Sequence, residues 1–208
     1  AGTVNVLLDT RIAYSDDMGT TWTDTGQTVN TSSDLGSNRA TRYEVSKLIH
    51  DPSGNAASAW HMFYHRYIVE NRDTRDFKNG WIGHKTAAAL TGPWSAEEIL
   101  FVGSSYESAN GTPKVTLPNL HADLSHCVVP TEPGALAGPN GLYVSLFCAA
   151  GNSLGRIVLL EWNSSGNSWS YKGTLVSDAD VRAMDGAYAT FSASDLFAQD
   201  GKTYLVVS

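Results

Sequence analysis

Three tryptophans set the frame of this chain. Trp22 follows Gly19-Thr20-Thr21, Trp94 follows Thr91-Gly92-Pro93, and Trp169 follows Gly166-Asn167-Ser168. Each stands just after a glycine turn and seven residues ahead of a hydrophobic residue (Val29, Phe101 or Val176), and the steps between them are 72 and 75 residues. A second register repeats beside the first. Glu44-Val45-Ser46-Lys47-Leu48-Ile49, Asp123-Leu124-Ser125-His126-Cys127-Val128 and Ser192-Ala193-Ser194-Asp195-Leu196-Phe197 all read polar-x-Ser-polar followed by two apolar residues. Two registers at similar spacing mark an array of units that bury their apolar surfaces against one another.

The units are made of strands. Short apolar or alternating runs bounded by Gly, Pro, Asn and Asp predict strands at 3–8, 11–15, 22–29, 43–49, 60–68, 80–86, 99–102, 125–129, 142–149, 156–162, 168–176, 190–197 and 202–207, with one short helix at 178–184. Several runs are apolar on both faces. Leu142, Val144, Leu146 and Cys148 point one way while Tyr143 and Phe147 point the other; Trp60, Met62 and Tyr64 oppose Phe63. A sheet that is apolar on both faces must be covered on both, which favours stacked sheets over a sandwich with one wet face.

Ser15-Asp16-Asp17-Met18-Gly19-Thr20-Thr21-Trp22 fits Ser-x-Asp-x-Gly-x-Thr-Trp at every fixed position. Asp17 can hydrogen-bond the turn backbone, Gly19 can take positive φ without a Cβ clash, and Trp22 should begin the outgoing strand as a hydrophobic bolt. This octapeptide resembles the Asp-box of sialidases and other β-propeller proteins, where it joins the third and fourth strands of a blade. Leu90-Thr91-Gly92-Pro93-Trp94-Ser95 and the segment from Ser194-Asp195-Leu196-Phe197 to Lys202-Thr203-Tyr204-Leu205 are similar to turns and blade openings of five-bladed glycosidases of the arabinanase, xylosidase and invertase kind. The resemblance implies an all-β propeller with four-stranded blades, five in number, to which this chain supplies about three. Residues 1–30 would end one blade, 40–103 and 120–177 would form the second and third, and 188–208 would start a fourth. At this period a five-bladed ring needs about 360 residues, so the remaining blades are expected from a second polypeptide, most simply the other half of a cleaved precursor.

The first strand of each propeller blade lines a central channel, and the polar-x-Ser-polar register therefore predicts a shared ring. Asp195, Asp123 and Glu44 are the candidate catalytic carboxylates, since carboxylates from different blades can divide into acid and base, as glycoside hydrolysis requires. Lys47, His126, Ser125 and Ser194 are the candidate substrate contacts. The bland reading of the same ring is a water-filled channel braced by ion pairs such as Glu44–Lys47. His121, Asp123 and His126 form a candidate metal set, which zinc or copper would suit, or calcium through Asp123 and backbone carbonyls. His61 and His65 read as partly buried hydrogen-bonding groups, and 70–78 as a charged solvated insertion.

The formal charge of −7 and the lack of a Lys/Arg cluster exclude nucleic acid as the natural partner. No apolar run is long enough for a membrane helix. Ala1 opens the chain without Met or a leader pattern, as a processed or trimmed N-terminus does. Cys127 and Cys148 lie in adjacent apolar runs; two buried thiols or one cross-strand disulfide are the open alternatives, and the disulfide would fit an exported protein. The expected function is an extracellular or periplasmic carbohydrate-active, glycoside hydrolase-like protein. The alternative is a non-catalytic propeller that binds a ligand, metal ion or partner protein through the same channel.

Overall fold

The computed structural model describes residues 7–52, 54–71, 74–138, 141–150, 155–184, 186–187 and 191–208. Most of the strand expected over 3–8, the first residue of 190–197 and part of the charged insertion lie outside them. The chain is all-β, and no sheet closes on itself among the described residues.

Among the described residues, four sheets follow one another along the sequence. The first is a hairpin of β1 (Asp9–Tyr14) and β2 (Thr23–Thr31). The second runs in order through β3 (Asp34–Gly36), β4 (Arg39–His50), β5 (Trp60–Glu70), β6 (Thr74–Ala87), β7 (Glu98–Val102) and β8 (Val115–Thr116). The third comprises β9 (Val129–Gly138), β10 (Gly141–Ala149), β11 (Gly155–Asn163) and β12 (Ser168–Ser177); the fourth is a hairpin of β13 (Ser194–Gln199) and β14 (Lys202–Val207). Helix α1 (Leu117–Leu120) lies between the second and third sheets in sequence, and α2 (Asp178–Met184) between the third and fourth. Every ladder is antiparallel except β7–β8, so β4–β7 and β9–β12 are both four-stranded meanders.

The sheets pack face to face in chain order, because their alternating side chains leave apolar groups on both sides. Ile12 and Val29 of the first hairpin meet Met62 and Tyr64 of β5. Phe63, on the opposite face of β5, joins Ile82 and Phe101 against Leu142, Val144, Leu146 and Cys148 of β10. The other face of β10 carries Phe147, which packs with Ile157, Val176, Phe191 and Leu205 toward the last hairpin. Fully burying one such side chain stabilises by about 1.5–3 kcal/mol, so three successive interfaces hold the stack.

The tryptophan repeat is a repeat of position. Trp22 immediately precedes β2, Trp94 lies in the turn before β7, and Trp169 is the second residue of β12, in each case the closing strand of its hairpin or meander. Val29, Phe101 and Val176 are all buried. Trp169 and Trp94 pack into cores, but Trp22 is 66% exposed and is not the expected bolt. Its indole folds back over the turn, where Nε1 donates to the Gly19 carbonyl at 3.1 Å. The turn itself forms as the residues dictate. Asp17 accepts from the Thr21 backbone at 2.8 Å and its hydroxyl at 2.7 Å, Ser15 Oγ donates to Asp17, and Gly19 has φ +89°. Those bonds, the Thr21 amide foremost, hold the Asp17 carboxyl at about 2.

Cys127 and Cys148 form a disulfide, with Cα atoms 4.9 Å apart. Cys127 sits just ahead of β9, where the Val128 amide donates to Ala149 O at the end of β10. The strand expected over 125–129 is displaced. Residues 122–124 form a 3-10 turn, stabilised by His121 Nδ1 accepting from the Asp123 amide, and the strand begins only at Val129.

Candidate functional site

Three strands from three different sheets meet along one strip: β4, β9 and β13, the opening strands of the first meander, the second meander and the last hairpin. The approach of β13 to β9 is close enough to require glycine. A Cβ on Gly134 would stand 2.5 Å from Ser145 Oγ, 2.7 Å from Ser194 O and 2.9 Å from Asp195 Cα.

Two of these strands bulge at the strip. In β4, Glu44 pairs with His65 and Lys47 with Phe63, so Val45 and Ser46 together face Tyr64. In β9, Thr131 pairs with Phe147 and Gly134 with Ser145, so Glu132 and Pro133 together face Leu146. Val45 at φ 50° and Glu132 at φ 54° carry the left-handed backbone of the bulges, which re-aims the neighbouring side chains out of the pleat.

The result is a cleft of 250 Å³ bordered by Ser46, Lys47, Pro133, Ser194, Asp195 and Val206. Lys47 Nζ donates to Asp195 Oδ2 at 2.6 Å, while Asp195 Oδ1 accepts the Leu196 amide at 2.8 Å. The Asp195 side chain remains 49% exposed and Lys47 is 25% exposed, so the carboxylate faces solvent with its cation behind it.

Beside this pair lies a second acidic group. Glu44 accepts a hydrogen bond from the Tyr67 hydroxyl; burial first, and that bond second, push the Tyr67 phenol up to about 12. Burial raises the Glu132 carboxyl, and the charge of Glu44 raises it further, with Arg75 opposing both. Arg75 also stands over the Tyr67 ring, its guanidinium carbon 5.8 Å from the centroid. Glu44 and Glu132 therefore form an interacting carboxylate pair in which one member is biased toward the protonated form.

The expected ring is thus assembled in part. Lys47 and Asp195 are in direct contact, whereas Glu44 stands three residues back along β4 and, like Glu132, flanks the cleft without bordering it. Ser194 is nearby but buried, donating to Ser145 Oγ at 2.9 Å and so tying β13 to β10. Asp123, Ser125 and His126 lie in the helical turn ahead of β9 and do not border the cleft. The alignment that equated them with Glu44, Ser46 and Lys47 ran eight residues early: the bulge matches Glu44-Val45-Ser46-Lys47 to Thr131-Glu132-Pro133-Gly134. Glu132 was hidden by the prolines on either side of it, which read as a turn. The metal set also comes apart. His121 Nδ1 is 3.7 Å from Asp123 Oδ2 and its ring packs on Tyr171. Burial and Arg156 lower His126, whose Nε2 has no partner among the described residues. No three His, Cys, Asp or Glu side chains among the described residues gather as a metal would need.

No family model matches this chain, and no curated protein sequence matches it either.

Proposed function

We propose that this chain is a carbohydrate-active propeller protein, of the five-bladed glycosidase type, whose chemistry takes place where β4, β9 and β13 meet. The observation that carries the reading is the raised Glu132 carboxyl beside Glu44, with the ion-paired, solvent-facing Asp195 on the adjoining strand. Glycosidic hydrolysis needs one carboxylic acid to protonate the leaving oxygen and one carboxylate to act on the opposite side of the sugar. Glu132 supplies the first role, because burial and the Glu44 charge both favour its proton. Asp195 supplies the second, with Lys47 fixing its position. Water adds across the cleaved bond, and Glu132 recovers a proton at the end of the cycle. The Asp-box-like turn, the face-to-face stack of antiparallel sheets and the repeat of about seventy residues support the architecture. The buried disulfide supports an extracellular or periplasmic setting.

A screen on aryl glycosides and plant or microbial polysaccharides tests this. Turnover should fall at least about 100-fold in Glu132→Gln and in Asp195→Asn, the scale of lost general acid–base catalysis. The second reading, a non-catalytic propeller that binds a ligand through the same cleft, is favoured by the direct Lys47–Asp195 pair, which occupies a carboxylate oxygen. Saturable binding without turnover, lost on Lys47→Ala, would select it.

A further inference from the structure

A second cleft opens between the second and third sheets and shares no bordering residue with the one at β4, β9 and β13. It consists of two hollows, of 240 and 320 Å³, with Lys114, Trp162, Asn167 and Trp169 common to both. Its origin is a change in what the two sheets present to each other. Along most of the interface Phe63, Ile82, Leu146 and Val158 are completely buried. At one end the second sheet presents His61, His84 and Glu98, and the third sheet answers with tryptophans.

Those three polar groups are locked in a chain. His84 Nδ1 lies 3.2 Å from Glu98 Oε2, and His84 Nε2 lies 3.0 Å from His61 Nδ1. A carboxylate can only accept, so His84 Nδ1 carries the hydrogen that points at Glu98. With one hydrogen on each ring, His84 accepts at Nε2 from His61 Nδ1–H, and His61 Nε2 is left as an acceptor. Phe63 stacks on the His84 ring at 4.7 Å, which fixes the orientation of the chain. Across the gap, Trp162 is half-buried and tilted against Trp169 at 5.5 Å, and Trp169 is braced edge-on by Phe101 at 4.8 Å. Lys114 and Asn119 are exposed at the mouth beside Asn167, and the Lys114 amide is anchored to Ile99 O at 2.8 Å.

We infer that this inter-sheet cleft is a second binding site, for a neutral saccharide, with Trp162 as the stacking platform and Glu98, His84, Asn119 and Asn167 as the hydrogen-bonding rim. A sugar ring has one apolar C–H face and an edge of hydroxyls, and this cleft pairs a braced aromatic wall with groups that both donate and accept. An anionic ligand fits poorly. The one cation at the mouth, Lys114, faces Glu98, and their charges interact. An apolar ligand fits poorly too, because it would cut the Asn119 and Asn167 amides off from water and give them no partner.

The experiment is titration calorimetry of the full chain with the neutral hexasaccharides of arabinose, xylose and glucose, and with a galacturonate hexamer as the charged control. At least one neutral hexasaccharide should bind saturably, and the galacturonate should not. Trp162→Ala should weaken binding roughly ten-fold, the size of one lost stacking contact, whereas Trp162→Phe should retain most of it. Because Trp162 borders the core, the exposed Asn119→Ala offers a variant that leaves packing untouched, and it should weaken binding several-fold. Glu132→Gln should leave the affinity unchanged, which separates this site from the proposed hydrolytic one. Failure of every neutral sugar to bind, preference for the galacturonate, or equal affinity in both Trp162→Ala and Asn119→Ala would overturn the inference.

Discussion

Acidification should destabilise this protein well before its surface carboxylates are neutralised, and two histidines of β5 supply the reason. His61 and His65 are 9% and 2% exposed. Burial, and then the neighbouring His84, bring His61 down from 6.5 to about 4; burial, and then Arg75, bring His65 down to about 3. Asp51 pulls the other way on His61 without cancelling the effect, while His50 adds to it. Both groups bind a proton more readily in the unfolded chain. Their stabilisation is therefore complete above the unfolded value of 6.5, and it is lost as pH falls from there through about 4 for His61 and about 3 for His65. At about 1.4 kcal/mol per pH unit, the fall from 6.5 to 5 costs about 2 kcal/mol for each histidine, or about 4 kcal/mol together. Total stability for a domain is about 5–15 kcal/mol, so the effect is decisive. Glu98, held down chiefly by its bond to His84, acts in the same direction, whereas the raised Glu132 acts in the opposite one.

Urea unfolding followed by tryptophan fluorescence at pH 7.5, 6 and 5 reads this directly. With a slope of about 2 kcal/mol per molar urea, the midpoint should drop by about 2 M between pH 7.5 and 5. His65→Gln, whose amide does not titrate, should remove about half of that dependence. A midpoint constant across the range, or ring protons of His61 and His65 titrating near 6.5 in the folded protein, would refute the reasoning.

Three further outcomes are expected. Reducing the Cys127–Cys148 bridge, which spans 21 residues, should cost about 3 kcal/mol, seen as a fall in Tm with a thiol reductant; an unchanged Tm would contradict it. Gly134→Ala should destabilise by roughly 1–3 kcal/mol in urea unfolding, because its new methyl meets the backbone of Ser194 and Asp195 rather than a movable side-chain tip. The outer face of the last hairpin carries exposed Phe197 stacked on Tyr204 at 5.0 Å, beside exposed Val206. We propose that a second polypeptide covers it with further strands, as ring closure would demand, so light scattering should find a tight complex; a lone 22.3 kDa species that unfolds cooperatively would count against it.

Much of the fold was legible because it depends on alternation and spacing. The residues 142–148 divide between two cores as their pattern dictates, and β14 and α2 occupy the expected bounds. What was not legible depends on pairing. β9 contains Pro130, Pro133 and Gly134, a composition that reads as a turn, yet it is an edge strand, where one side of the backbone has no ladder to satisfy. With that stretch left unassigned, the opening strand was expected at 125–129, and the register at 123–128 moved Asp123, Ser125 and His126 into a ring they do not join. The His61–His84–Glu98 chain was equally hidden, since its members come from three strands and meet only through their registers.

The two bulges support reading the strip at β4, β9 and β13 as a site rather than a seam. A seam between stacked sheets is best served by regular strands with apolar side chains, as the Phe63–Leu146 interface is. Here a β-branched valine and a glutamate both sit at positive φ, a conformation that costs of order 1–3 kcal/mol for residues other than glycine. Glycine at Val45 would relieve that strain locally, and a regular strand would remove it. A regular strand, however, would not deliver Glu44 to Tyr67 and, three residues later, Lys47 to Asp195. Glu132 carries its strain in the same way, at the residue whose carboxyl is raised by burial and then by Glu44. The strain and the charges coincide on two separate strands, which supports reading both bulges as parts of one built arrangement.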